Sequence, residues 1–194
     1  MRLRTQQGLT AFLAPCVLVL MGLAESSQQP QFDGDNALLR PTGYREWVFV
    51  GSSLGLRYAQ NPNEDRSGPR GPASQVYHNV YINPSSYREF SRTGKFPDGT
   101  MMVLELANSE GKKEPGLQGS YQKDYVGLEA SVKDSRRFDG NWAYFSFDNP
   151  DGTLKDKAKA LPQDACWSCH HTKAATDHVF TQFYPVLRAL RSPR

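Results

Sequence analysis

Val76-Tyr77-His78-Asn79-Val80-Tyr81-Ile82 is a run of β-branched and aromatic residues, the composition of a strand rather than of a helix. Four more segments read the same way. Residues 46–51 hold Trp47, Val48, Phe49 and Val50, and residues 100–106, 125–132 and 141–147 are similar apolar stretches. Loop-like sequence separates them: residues 62–72 are rich in proline and glycine, and residues 108–119 hold three glycines and a proline. Five strands with no long helix between them predict a mainly β, α+β fold built on an antiparallel five-stranded sheet.

Short helices interrupt this pattern. Residues 84–92 follow Asn83, a residue suited to the N-cap, with Pro84 at the first helical position and Gly94 past the end. A C-terminal helix is expected from Asp164 onward, with Val179, Phe183, Val186, Leu187 and Leu190 at helical spacing; Pro185 kinks it or starts a new turn.

The chain has 194 residues, 38% hydrophobic and 22% charged, which excludes a collagen, a coiled coil and a fully disordered chain. Its mean hydropathy of −0.61 excludes a polytopic membrane protein. Arg2 and Arg4, the apolar stretch 9–23 and Gly22-Leu23-Ala24 read together as a signal peptide over residues 1–24, cleaved before Glu25. An uncleaved anchor and a lipid-modified Cys16 are the alternatives; Pro15 before the cysteine and Val17-Leu18 after it oppose the second. Export implies a periplasmic location. Residues 25–40 are polar and read as a mobile leader, which leaves 41–194 as a single domain. Cleavage removes Arg2, Arg4 and Cys16, so 21 basic residues face 20 acidic ones. That balance excludes an electrostatic nucleic-acid binder.

Cys166 and Cys169 then remain, in Cys166-Trp167-Ser168-Cys169-His170. C-x-x-C-H is the attachment pattern of a c-type haem. Each thiol adds to one vinyl group of the same ring, and the histidine that follows lies under the iron as its proximal ligand. A thioredoxin-like redox pair would open a helix after an early strand of a βαβ unit, and the sequence has no such unit. A zinc knuckle would need two further ligands, and His171 and His178 are poorly spaced for that. A disulfide across this spacing would be strained.

The sixth iron ligand is harder to find. Only 24 residues follow His170 and none is methionine. Met101, Met102 and His78 lie upstream in predicted strands, where each is equally at home as a core residue. His171 would point away from the distal side, and His178 shares the haem-side segment. This favours a five-coordinate iron that binds small gases or does chemistry, over a simple electron carrier.

Several longer stretches carry a family resemblance. They are Tyr44-Arg45-Glu46-Trp47-Val48, Val80-Tyr81-Ile82-Asn83-Pro84, and Thr93-Gly94-Lys95-Phe96-Pro97-Asp98-Gly99-Thr100. Further along come residues 124–135, Asn141-Trp142-Ala143, and residues 179–188. In this order they resemble the cytochrome P-460 / cytochrome c′-β family, across most of the chain beyond the signal. The resemblance implies an antiparallel sheet carrying one haem c with its iron, usually as a homodimer, together with a possible redox partner protein. The family has two functional types. The P-460 type oxidises hydroxylamine and carries a lysine cross-linked to the haem. The c′-β type lacks the cross-link, has an apolar distal pocket capped by phenylalanine, and binds nitric oxide or carbon monoxide.

The lysine would be expected four residues after Thr100, and Leu104 stands there. If Leu104 faces the haem, strand alternation puts Met102 on the same face and Val103 and Glu105 opposite. Phe96 and Phe147, with Phe145 a further candidate, would complete an apolar distal pocket around Leu104; each phenylalanine is also a natural core residue. Such a pocket has no general base for an N–H substrate, so nitric oxide and carbon monoxide are the expected ligands. Glu129, Lys133 and Asp148 are candidate distal bases, although a solvated face is the commoner place for such residues. Arg45 and Arg57 are candidate propionate partners. The expectation is a gas-binding cytochrome; a hydroxylamine oxidase or an electron-transfer cytochrome is the alternative.

Overall fold

The computed structural model describes residues 28–34, 36–56 and 75–190. The proposed signal peptide, Cys16 and Arg57 lie outside the described residues. Seven strands form: β1 (Leu38–Leu39), β2 (Val48–Leu54), β3 (Val76–Ile82), β4 (Met101–Glu114), β5 (Leu117–Lys133), β6 (Trp142–Ser146) and β7 (Lys157–Ala158). Strands β2 to β6 make one antiparallel sheet in sequence order, and β1 pairs with β7 in a small second sheet. Three short helices accompany them: α1 (Pro84–Thr93), α2 (Trp167–Lys173) and α3 (Pro185–Ala189). The predicted five-stranded antiparallel sheet is the fold observed.

Three local expectations change. Residues 108–119 are not a loop. The β4–β5 hairpin pairs through Ser109↔Gln122 to Glu114↔Leu117, and Pro115-Gly116 closes it, with Gly116 at φ +80°. Polar composition hid this segment because its side chains are largely exposed, and a backbone ladder with the Lys123–Glu110 ion pair at 2.6 Å, rather than an apolar face, joins the strands. The described part of the polar leader is packed rather than loose: Leu38 is buried and pairs with Ala158. The C-terminal helix is three pieces, α2, a 3-10 turn at Thr181–Phe183, and α3, which Pro185 begins.

Helix α1 starts at Pro84 and ends with Gly94 at φ +70°, whose N–H returns to the Phe90 carbonyl at 2.8 Å. Asn83 holds the cap position, but its side chain bonds elsewhere. Its Nδ2 donates to the Gly99 carbonyl at 3.0 Å, and its Oδ1 accepts the Met101 N–H at 3.0 Å. The asparagine thus ties the helix start to the start of β4.

Away from the exposed β4–β5 hairpin both faces of the sheet are covered, and alternation assigns each buried side chain to one of two cores. One face buries Met101, Val103, Leu128, Val132, Phe145 and Phe147 against Leu38, Tyr44 and Ala158. The other buries Val50, Val80, Ile82, Met102, Trp142 and Tyr144 under α1 and the C-terminal segment. Full burial of each large side chain contributes about 1.5–3 kcal/mol. On the first face Glu105, only 2% exposed, accepts the Tyr44 hydroxyl at 2.6 Å and pairs with Arg45 at 2.5 Å. Burial and the neighbouring carboxylate hold the Tyr44 hydroxyl well above its ordinary range.

Candidate functional site

Helix α2 begins where Cys166 leaves off. The Cys166 carbonyl accepts the His170 N–H at 3.1 Å, which places the two side chains one turn apart on the same face. Both line a cavity of about 400 Å³ between the second sheet face and the C-terminal segment. That is the size of pocket in which proteins hold small molecules and cofactors. Cys169 is half-buried on the same turn, and no disulfide joins it to Cys166. Trp167, between the cysteines, stacks on His171 at 4.6 Å and reaches the Gly140 carbonyl through its ring N–H at 3.3 Å. Among the described residues no three His, Cys, Asp or Glu side chains group to hold a metal ion by themselves.

His170 is prepared to ligate. Its Nδ1 lies 2.8 Å from the His178 carbonyl oxygen, an acceptor only, so Nδ1 carries the proton and Nε2 the lone pair. Burial pushes the imidazole below its ordinary pKa, which favours the neutral ring a metal requires. Tyr144 at 4.4 Å and Phe180 at 4.6 Å flank the ring. The Cys166 thiol is pushed up, first by burial and then by the nearby Glu129 and Cys169. A neutral histidine with a defined tautomer, a thiol one turn away and largely apolar walls fit a haem c. Cys166 and Cys169 would hold it, and His170 would ligate its iron.

The distal candidates separate. Leu104 lines the cavity with Met102, Leu106 and Val80, while Val103 and Glu105 face the other way, as alternation predicts. Phe96 and Phe147 do not line it. Phe96 stacks on Phe90 at 4.1 Å and meets Trp142 edge-on, in the core under α1. Phe147 is buried in the opposite core, whereas Phe145, which packs in that core too, also borders the cavity. Tyr144, Phe180, Phe183 and Tyr184 supply aromatic side chains at the cavity instead. Burial pushes the Tyr184 hydroxyl up to about 12.

Of the candidate bases, Glu129 lies in the cavity wall. It stands directly across from Leu104 on β5, and burial, with a smaller effect from Asp148, raises its carboxyl above the usual range. Lys133 instead pairs with Asp177 at 2.7 Å, and Asp148 accepts the Leu128 N–H at 2.8 Å. Arg45 is committed to Glu105 and stacks over Tyr125. His78 lines the cavity, its pKa lowered by burial. The face that Glu129 occupies depends on its register against Leu104, a long-range pairing that composition does not reveal.

Comparison with protein families gives one result. The family model described as Cytochrome P460 matches residues 41–181, from before β2 to the 3-10 turn after α2. No curated protein matches the chain.

Proposed function

This chain belongs to the cytochrome P460 family, a family of haem proteins, and on that premise we propose that it is an exported mono-haem cytochrome that reversibly binds nitric oxide or carbon monoxide. The observation that carries this reading is the cavity wall. Leu104 stands where the resemblance puts a cross-linking lysine, and none of the described lining residues is a lysine. A bound haem would supply an iron that can take up a diatomic gas. His170 would ligate that iron, with Tyr144 and Phe180 flanking the imidazole to fix its orientation. The side chains of Val80, Met102, Leu104 and Leu106 offer a ligand no conventional hydrogen-bond donor, which suits gases that need none. Attachment through Cys166 and Cys169 places loading outside the cytoplasm, in keeping with a signal peptide at residues 1–24.

Glu129 favours a second reading, hydroxylamine oxidation. A partly buried carboxyl with a raised pKa is suited to take a proton from an N–H substrate.

The visible spectrum of the reduced protein, with and without nitric oxide, tests the proposal. A high-spin five-coordinate spectrum that changes on addition of the gas is expected. A low-spin spectrum, lost on replacing Met102 or His78, would make the protein an electron carrier. Hydroxylamine turnover with an added electron acceptor, lost in Glu129→Gln, would establish the enzyme. A lysine peptide found covalently joined to haem would remove the argument from Leu104.

A further inference from the structure

The turn after α2 has an unexpected backbone. Thr176 and Val179 pair as a two-residue hairpin, with N–H···O distances of 3.3 and 2.7 Å. Its central residues, Asp177 and His178, have φ of +43° and +62°. Positive φ at both positions is the signature of a type I′ turn, whose usual residues are Asn-Gly. Neither residue here is glycine; aspartate and histidine tolerate positive φ better than most residues but still at a cost that glycine avoids.

The Asp177 side chain supplies what the local sequence lacks. One carboxylate oxygen accepts the Lys133 ammonium at 2.7 Å, and the other accepts the Trp142 ring N–H at 3.1 Å. Lys133 and Trp142 stand directly opposite each other on β5 and β6, so both donors are rooted in the sheet. Lys133 also donates to the Phe96 carbonyl at 2.8 Å. The clamped turn brings the His178 carbonyl to the site, where it accepts His170 Nδ1–H at 2.8 Å and the Tyr144 hydroxyl at 3.4 Å.

A ligating histidine is oriented, and made a stronger donor, by the acceptor on its other ring nitrogen. We infer that Asp177, held by Lys133 and Trp142, is a positioning residue that sets the strength of the bond from His170 to the iron by holding the His178 carbonyl in place. This rests on the haem reading given above. Asp177 and its two side-chain partners, Lys133 and Trp142, are not among the residues that line the cavity, so the route from Asp177 to His170 runs through the turn.

The test uses the haem-loaded full chain and reads the iron–histidine stretching band by resonance Raman, together with the reduction potential. Asp177→Ala should move the band to lower frequency and raise the potential. The double variant Asp177→Asn/His178→Gly installs a turn that needs no clamp, and should return both readings to the native values. Lys133→Met, a milder change, should shift them in the same direction and serves if Asp177→Ala does not fold. An unchanged band in a loaded Asp177→Ala or Lys133→Met protein would overturn the inference. So would a shift that the turn-favouring pair fails to restore. A native chain expressed with haem maturation that carries no covalent haem would refute the underlying site reading, a result plainly distinct from these.

Discussion

Gly140→Ala is a perturbation whose cost can be worked from the structure. Gly140 sits at φ +81°, and an added Cβ would lie 2.7 Å from three atoms of the Trp167 indole. The left-handed backbone costs a non-glycine residue about 1–2 kcal/mol. Pushing the indole away also breaks its N–H bond to the Gly140 carbonyl, worth about 0.5–1.5 kcal/mol. The expected loss is therefore about 1.5–3.5 kcal/mol, or about 3–14 °C in melting temperature for a chain of this size. Thermal unfolding followed by circular dichroism measures it. Gly140→Asn keeps the collision but tolerates the backbone better, so it should lose less. In the Gly140→Ala background, Trp167→Ala should cost at least about 1 kcal/mol less than in the native chain, because there it relieves the collision and the indole N–H bond is already lost. A Gly140→Ala protein that melts within about 1 °C of the native one would refute this account of how the loop before β6 holds the tryptophan of the C-x-x-C-H motif.

Three further outcomes are expected. Tyr44→Phe removes a 2.6 Å hydrogen bond from the buried Glu105, and should cost about 1.5–3 kcal/mol by urea denaturation; a loss under about 0.5 kcal/mol would show that Arg45 alone satisfies the carboxylate. Phe90→Ala empties a site 1% exposed and stacked on Phe96, and should cost about 3–5 kcal/mol, with an unchanged denaturation midpoint as the contrary result. Glu129 titrates above its ordinary value in the folded chain, so the unfolded chain loses that proton first as pH rises. Native stability should then fall from about pH 4.3 upward, by at most about 1.4 kcal/mol per pH unit, until the folded carboxyl also ionises. Glu129→Gln should lack that component and gain on the native protein toward neutral pH. Parallel stability–pH curves for the two proteins would count against burial of the carboxyl in the cavity.

Residues whose role follows from local chemistry were legible in the sequence. The β-branched and aromatic runs gave the five strands, and alternation placed Met102 and Leu104 on one face with Val103 and Glu105 on the other. Cys166 and His170 announced themselves by spacing, and the cavity they share is where the structure puts them. What stayed hidden depends on pairing between distant segments. Glu129 is a cavity residue because β5 registers it against Leu104, and nothing near Glu129 in the chain says so. Phe147 went to the opposite core by a parity that becomes plain only once β6 is fixed against β5. The hairpin through residues 108–119 was obscured by its glycines and charges, since a solvated ladder needs no apolar pattern. The turn at Asp177-His178 carries no glycine, so no turn signal marked it.

Leu104 and Glu105 are consecutive residues that serve opposite sides of one sheet, the first in the cavity wall and the second in the buried pair with Tyr44 and Arg45. Losing a single residue earlier in β4 would exchange them, setting a carboxylate against the cavity and a leucine against two stranded polar partners. A one-residue shift ahead of Leu104 is therefore closed to this strand as a route of change. Its pocket can acquire new chemistry only by replacing one side chain at a time, at every second position, which is the change that separates a leucine from a lysine at residue 104.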